Sequence, residues 1–133
     1  MKYLLFIILV ISSFCSCKKG VANKDYPEFL GKWEFAAIGG GFGQYLSHDS
    51  DGDYIFLHEN GRFDHFINKT GNTFRGNYSI SERPACDKKT ISSCIKTTEP
   101  DKRLYYIYLN EKGQLVLFPT ECIDSGATIF NKK

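Results

Sequence analysis

From Gly31 onward, short aromatic and β-branched runs recur about every ten residues, with Gly, Asn, Asp and Pro between them. This spacing is typical of an all-β sandwich or barrel. Ahead of the first run, Asp25 as a cap and Pro27 in the first turn predict a short helical turn. We predict eight strands, at residues 32–38, 53–59, 62–68, 73–80, 90–97, 103–109, 114–119 and 127–132.

The tightest connection lies between the second and third predicted strands. Asn60-Gly61 fits a two-residue type I′ turn, in which both central residues take positive φ, and this turn would place Glu59 opposite Arg62. Side chains alternate along a strand, so this register divides the hairpin into two faces. We assign the more aromatic face to the interior: Tyr54, Phe56, His58, Phe63, His65 and Ile67. In the next strand the same rule turns inward Phe74, Gly76, Tyr78 and Ile80.

The N-terminus carries an apolar run of nine residues, Tyr3 to Ile11, which is half of the roughly 20 that a membrane-spanning helix needs. We therefore interpret it as a secretory signal. Ser16-Cys17 followed by two lysines resembles the bacterial lipoprotein signal, in which the cysteine becomes the acylated N-terminus. The alternatives are acylation at Cys15, or an ordinary signal peptide with Cys17 free or disulfide-bonded. The predicted organisation is a signal at 1–16, a lipidated cysteine and tether at 17–24, and one domain at 25–133.

Composition narrows the function classes. The chain has 133 residues and a formal net charge of +2, and no basic cluster is larger than a pair of lysines. Nothing in this charge distribution indicates a nucleic-acid partner. We find no nucleophile elbow, phosphate-binding loop, zinc-protease or paired-carboxylate motif, so we predict no catalytic residues, no enzyme activity and no cofactor.

Three cysteines follow the signal, namely Cys86, Cys94 and Cys122. In an oxidising compartment two of them should form a disulfide. Cys86 with Cys94 would close a short loop, whereas Cys122 with either of them would join the C-terminal region to the middle of the chain. No set of zinc ligands accompanies them, and the acidic stretch 48–53 does not fit a calcium loop, so we predict no metal site.

The order of several short motifs indicates a family. A Gly-x-Trp at the head of the first strand, Gly31 and Trp33, follows a helical turn and precedes seven more strands. This arrangement resembles the lipocalin and calycin barrels, and the segments "YIFLHENGRF", "GNYSI", "GQLVLF" and "ATIFNKK" resemble those of bacterial lipoproteins with a lipocalin-like domain. The resemblance implies an eight-stranded antiparallel up-and-down β-barrel over residues 25–133. It also implies that Trp33 packs across the closed end, where its indole N–H needs a partner.

An eight-stranded barrel is wide enough either to fill with side chains or to hold one small ligand. If a cavity exists, its mouth should lie near the long loop from Gly39 to Asp53, whose glycine run would let it move as a lid. The candidate ligand-binding residues are Phe42, Tyr45, Tyr54, Phe56, His58, Phe63, His65 and Tyr78.

Two functions are compatible with this sequence. The first is a lipid-anchored lipoprotein of the bacterial envelope, on the outer membrane and either periplasmic or surface-exposed, that binds a small hydrophobic molecule in its barrel. The second is a closed barrel that acts as a protein-interaction, inhibitor or envelope-assembly module, with the aromatic strands at 103–119 as its contact surface. In either case we expect a monomer that is attached to the membrane by its lipid anchor.

Overall fold

The computed structural model describes residues 25–40, 43–45, 51–98, 102–121 and 126–133, of which residues 40 and 43–45 are described by their backbone alone. Within these residues, a 3-10 turn at Pro27–Phe29 leads into nine β-strands. The strands are β1 (Gly31–Gly40), β2 (Gly43–Tyr45), β3 (Tyr54–Leu57), β4 (Arg62–Ile67), β5 (Asn72–Pro84), β6 (Ile91–Thr97), β7 (Leu104–Leu109), β8 (Leu115–Pro119) and β9 (Ala127–Lys132). The described part of the chain contains no helix of the length and hydrophobicity that a membrane span requires.

Eight of the strands form one closed antiparallel sheet, called the ring below. β1 and β3 to β9 pair in sequence order, and β9 pairs back onto β1 to close the ring. This confirms the predicted all-β, eight-stranded, up-and-down architecture. The ninth strand, β2, was not predicted, and it pairs with β1 alone.

The first strand has enough length to serve three partners. Its first residues, Gly31 to Glu34, pair with β3, and its last residues, Ile38 to Gly40, pair with β2. Its other edge pairs with β9, with a bulge between Phe35 and Ala37 that bends the strand. The ring therefore begins and ends at β1.

The 3-10 turn forms where it was predicted, but Asp25 does not cap it. Tyr26 holds the cap position, and no side chain bonds the turn's free N–H groups. Pro27 occupies the first helical position, where its missing N–H costs nothing. The placement of the turn is thus explained by Pro27, and the predicted Asp25 cap is wrong.

The turn between β3 and β4 differs from the prediction by one residue. Gly61 N–H donates to the His58 carbonyl at 3.1 Å, and Gly61 alone of the turn residues takes positive φ, at 80°. Asn60 is therefore the third residue of an ordinary turn that ends in a glycine bulge, and it is not part of a type I′ pair. The observed register pairs Leu57 with Phe63 and Ile55 with His65.

This one-residue shift reverses the faces of β3 but not those of β4, because side chains alternate along each strand. Phe63, His65 and Ile67 point into the ring as predicted, whereas β3 presents Ile55 and Leu57 inward. The predicted interior positions of Tyr54, Phe56 and His58 are wrong, since these side chains lie on the outer surface. In β5 the prediction is confirmed, with Tyr78 buried and Ile80 packed against the core.

The β5–β6 hairpin contains Cys86 and Cys94. Asp87 Oδ1 accepts the backbone N–H groups of Lys89 and Thr90 at 2.8 and 2.9 Å. These hydrogen bonds, first that of Thr90 and then that of Lys89, lower the pKa of the Asp87 carboxyl. Lys88 takes positive φ, at 57°, which closes the turn.

The state of Cys94 excludes one of the predicted disulfides. Cys94 is a free thiol that is buried on β6, and burial raises its pKa. A Cys86–Cys94 disulfide is therefore wrong. Cys86 is disulfide-bonded. Cys122, the other candidate, lies outside the described residues, so its pairing stays a prediction.

Most of the core lies at one end of the ring. Trp33 and Phe29 meet there with side chains from the remaining strands. The buried members of this cluster are Phe29, Trp33, Ile55, Leu57, Phe63, Tyr78, Ile95, Ile107, Leu115 and Phe130. A second, smaller cluster lies against the outer face of β1, β8 and β9 and contains Ala37, Val116 and Ile129.

Candidate functional site

The ring has one closed end, and Trp33 fills it. Its side chain is 1% exposed, and its indole N–H donates to the Phe29 carbonyl at 2.7 Å. The 3-10 turn thus supplies both a buried aromatic side chain in the same cluster as the indole and the hydrogen-bond partner that a buried indole needs. Trp33 is thus a buried core residue whose indole N–H is paired.

Two neighbours complete this closed end. Lys132 Nζ lies 4.3 Å from the centre of the Trp33 ring and donates to the Leu30 carbonyl. Gly31, the other predicted structural residue, has φ of +108°, and a Cβ there would lie 3.2 Å from Lys132 Nζ. Only glycine adopts this backbone conformation without strain. Gly31 therefore lets the chain turn from the 3-10 turn into β1 beneath the lysine.

Above this closed end the ring is hollow. A cavity of about 570 Å³ occupies the interior, within the usual range for small-ligand pockets. Every strand of the ring contributes to its wall, and most of the lining is apolar. The apolar lining residues are Phe35, Ile38, Ile55, Leu57, Phe63, Ile67, Phe74, Ile95, Leu117 and Phe130, with Tyr105 among the polar ones.

The cavity opens at the end opposite Trp33, called the mouth below. Ile38 and Phe74 line the cavity there and are each 39% exposed. Asp53 lines the same end of the cavity, so the predicted mouth loop, Gly39 to Asp53, ends at its rim. Phe42 lies outside the described residues, and Tyr45 is described by its backbone alone, so neither side chain can be placed against the cavity.

The mouth half of the cavity also carries the polar lining groups. His65 lies among them, and charges of opposite sign act on it. Burial is the largest effect and lowers the pKa of His65, Asp53 raises it, and Arg103 lowers it. Across the ring, Arg103 Nη1 donates to the Tyr105 hydroxyl oxygen at 3.1 Å.

The predicted ligand-binding residues divide into three groups. Phe63 and His65 line the cavity. Tyr78 is buried in the core below it, and its hydroxyl donates to the His58 carbonyl at 2.7 Å. Tyr54, Phe56 and His58 lie on the outer face and do not reach the interior.

On that outer face these side chains form a patch of their own. Tyr54 stacks on Phe66 with ring centres 5.1 Å apart, and Phe56 stacks on His58 at 4.4 Å. Asp64 lies 2.8 Å from His58 Nε2 and 3.4 Å from Arg75 Nε. Polar and charged partners surround the aromatic rings here, so the patch is part of a solvated surface.

Sequence reasoning missed the lining residues on β1, β6, β7, β8 and β9. The segment "LYYIYL" is apolar on both faces, so its sequence does not indicate which face of β7 points inward. The structure turns Tyr105 and Ile107 inward, and this leaves Tyr106 and Tyr108 outside. Thr97 ends β6 and Arg103 precedes β7, and Arg103 N–H donates to Thr97 Oγ1 at 3.0 Å. Their position at the end of this hairpin is the signal that could have identified them.

Comparisons with known proteins identify no relative. No protein-family model matches the chain, and it matches neither a curated protein nor a solved structure. Among the described residues, no group of three or more metal-ligating side chains comes together.

Proposed function

We propose that the protein binds a small hydrophobic molecule inside the ring. The observation that supports this proposal is the cavity of about 570 Å³ above Trp33, which is lined mainly by apolar side chains and opens at the mouth. A closed end packed around Trp33 would hold such a ligand from below, and the partly exposed side chains at the mouth would admit it.

Native mass spectrometry provides the first test. Residues 18–133 would be exported to an oxidising compartment and purified without detergent. The protein would then be exposed to a lipid extract and ionised under native electrospray conditions. We expect an adduct of the mass of a small lipid-like molecule. A bare mass under all conditions would argue against a ligand-binding ring.

A matched pair of variants tests whether binding uses the cavity. Thr128→Phe would add an aromatic ring to the cavity wall, whereas Thr73→Phe adds the same group at an exposed position of β5. We expect Thr128→Phe to abolish the adduct and Thr73→Phe to keep it, with both variants folded by circular dichroism. Equal adducts in the two variants would contradict binding in the interior.

We further propose that the mature chain is held on the bacterial envelope by lipid on Cys17. Two or more acyl chains anchor a protein stably without a membrane-spanning segment. In cells fed radioactive palmitate, the wild-type chain and Cys15→Ala should be labelled and Cys17→Ala should not. Label retained in Cys17→Ala would exclude this acceptor.

The alternative proposal is a protein-interaction module, and one surface favours it. Ile91, Tyr108 and Leu109 are 63%, 48% and 38% exposed, and they lie together beside the 3-10 turn at the closed end. Exposed apolar groups that share a groove are typical of contact surfaces. Changing Ile91 and Leu109 to serine should then remove partner capture from envelope extracts without changing the adduct mass.

A further inference from the structure

At the closed end of the ring, β6 and β7 part from each other. β5 pairs with β6 as far as Ile91, whereas the pairing of β6 with β7 begins only at Cys94. In the described part of the chain, Ile91, Ser92 and Ser93 therefore pair with β5 alone. A groove opens between these three residues and the last residues of β7, and we call it the β6–β7 groove.

This groove has a buried base and exposed apolar sides. Phe29 of the 3-10 turn and Ile107 line the base and are both buried. Ile91 lies on one side, where it is 63% exposed, and the exposed side chains of Tyr108 and Leu109 lie on the other. Large apolar side chains that share one groove on the surface are typical of a contact with another apolar phase.

The charges around the groove cancel. Three carboxylates and three ammonium groups belong to the groove and to the two turns beside it, at 85–90 and 110–114, and they are Glu28, Asp87, Glu111, Lys88, Lys89 and Lys112. This balance gives no preference for an anionic or a cationic partner. The contact that the groove is suited to make is therefore mainly apolar.

The proposed anchor lies close to this groove along the chain. Cys17 precedes Asp25 by eight positions, and a chain of that length spans at most about 28 Å. From Asp25 the chain enters the 3-10 turn at Pro27, and two residues of this turn, Glu28 and Phe29, line the groove. A bilayer that holds lipid on Cys17 is thus the apolar phase within reach of the groove.

So short a connection makes a weak contact effective. A few exposed apolar side chains would hold a free protein on a membrane only weakly. A tethered domain meets the bilayer at a high effective concentration, so the second contact needs little affinity of its own. Tyr108 suits this position, because a tyrosine places its apolar ring towards the acyl chains and its hydroxyl towards water.

We propose that the β6–β7 groove lies against the lipid bilayer, with Ile91, Tyr108 and Leu109 at the boundary between head groups and acyl chains. This inference rests on the proposed lipid on Cys17, because that lipid brings the groove to the membrane. It adds a second contact with the bilayer and names the side chains that make it.

Quenching of tryptophan emission by brominated lipid tests this contact. The full-length chain would be produced in a bacterium, extracted from the envelope and reconstituted in vesicles of plain or brominated phosphatidylcholine. Tyr108→Trp places a reporter in the groove, and Thr73→Trp places the same reporter at an exposed position of β5. Trp33 is buried and contributes the same background to both variants.

We expect brominated lipid to reduce the emission of Tyr108→Trp and to leave the emission of Thr73→Trp and of the wild type unchanged. Adding Ile91→Ser and Leu109→Ser to Tyr108→Trp should abolish this loss, while the protein still floats with the vesicles. The loss should be the same with anionic lipid present, and also at about 0.5 M salt, where charge interactions reach only a few Å. Ile91→Trp provides a second reporter, on the opposite side of the groove, if Tyr108→Trp does not fold.

The outcomes separate this inference from the proposed anchor. If the protein floats with the vesicles and brominated lipid affects Tyr108→Trp no more than Thr73→Trp, the inference is overturned while the anchor stands. A loss that survives the two serine substitutions would overturn it as well. Emission that brominated lipid leaves unchanged, together with partner capture that depends on Ile91 and Leu109, would assign the groove to a protein instead. If the extracted chain carries no acyl group on Cys17, the anchor and the inference fail together.

Discussion

At the closed end of the ring, Trp33 and Ile107 are each 1% exposed, whereas at the mouth Ile38 and Phe74 are each 39% exposed. The same strands build both ends, so the difference comes from what fills them. One end is packed around an indole with its hydrogen bond made, and the other end encloses an open volume. We infer that the closed end contributes more to stability than the mouth does.

The strongest way to break this comparison is to empty the closed end. Trp33→Ala removes the largest buried side chain, and we expect a loss of about 3–5 kcal/mol in the free energy of unfolding. The matched change at the mouth, Phe74→Ala, should cost about 1 kcal/mol or less, because that ring is already partly in solvent. Urea unfolding followed by circular dichroism measures both, and equal losses would refute the division of roles.

A smaller effect is expected where the core meets the β3–β4 turn. Tyr78→Phe removes the hydrogen bond from the hydroxyl to the His58 carbonyl and leaves the ring in place. That carbonyl still accepts Gly61 N–H, so we expect a loss of about 1 kcal/mol. Urea unfolding gives the value, and a cost as large as that of Trp33→Ala would mean that Tyr78 holds more than this turn.

The lysine over the Trp33 ring allows a finer test of the closed end. Lys132→Met keeps most of the side chain's apolar length but removes the charge over Trp33 and the bond to the Leu30 carbonyl. We expect a destabilisation of about 0.5–1 kcal/mol. A changed tryptophan fluorescence spectrum is the second readout. Lys132→Arg should restore stability, and failure to do so would assign the effect to packing.

The smallest expected effect comes from the mouth and depends on pH. Burial holds the pKa of His65 below its usual 6.5, so the unfolded chain binds a proton there more readily than the folded one. The contribution of neutral His65 to folding stability is fully present above pH 6.5. It is lost as the pH falls through the pKa of His65 in the folded chain. Asp53 opposes this shift, and Arg103 adds to it. His65→Gln should flatten the fall in stability below pH 6.5, and an unchanged slope would contradict this origin.

The sequence predicted the ring well because strand positions depend on local patterns. Eight runs of aromatic and β-branched residues fell within a few residues of β1 and β3 to β9. A structural position for Trp33 could also be predicted, since it is the single tryptophan and lies two residues after Gly31. β2 was missed because three residues after a glycine run carry almost no strand signal.

The interior was harder to predict than the strands. An Asn-Gly pair fits two turn geometries that differ by one residue, and the choice between them reverses a whole strand face. A contact from another strand favours the longer turn, because Tyr78 N–H on β5 donates to the Gly61 carbonyl at 2.7 Å. Arg103 was missed as a cavity-lining residue for a related reason, because sequence spacing does not bring it together with Asp53 and His65.

The pairing that closes the ring also fixes how the domain can be attached to anything else. β1 starts and β9 ends at the same end, where Lys133 N–H donates to the Lys32 carbonyl at 3.0 Å. A tether, a fusion partner or a solid support joined through either end of the domain therefore meets it beside Trp33. The mouth then faces away from the point of attachment. A flexible segment at the attachment point would therefore change the orientation of the domain without covering the mouth.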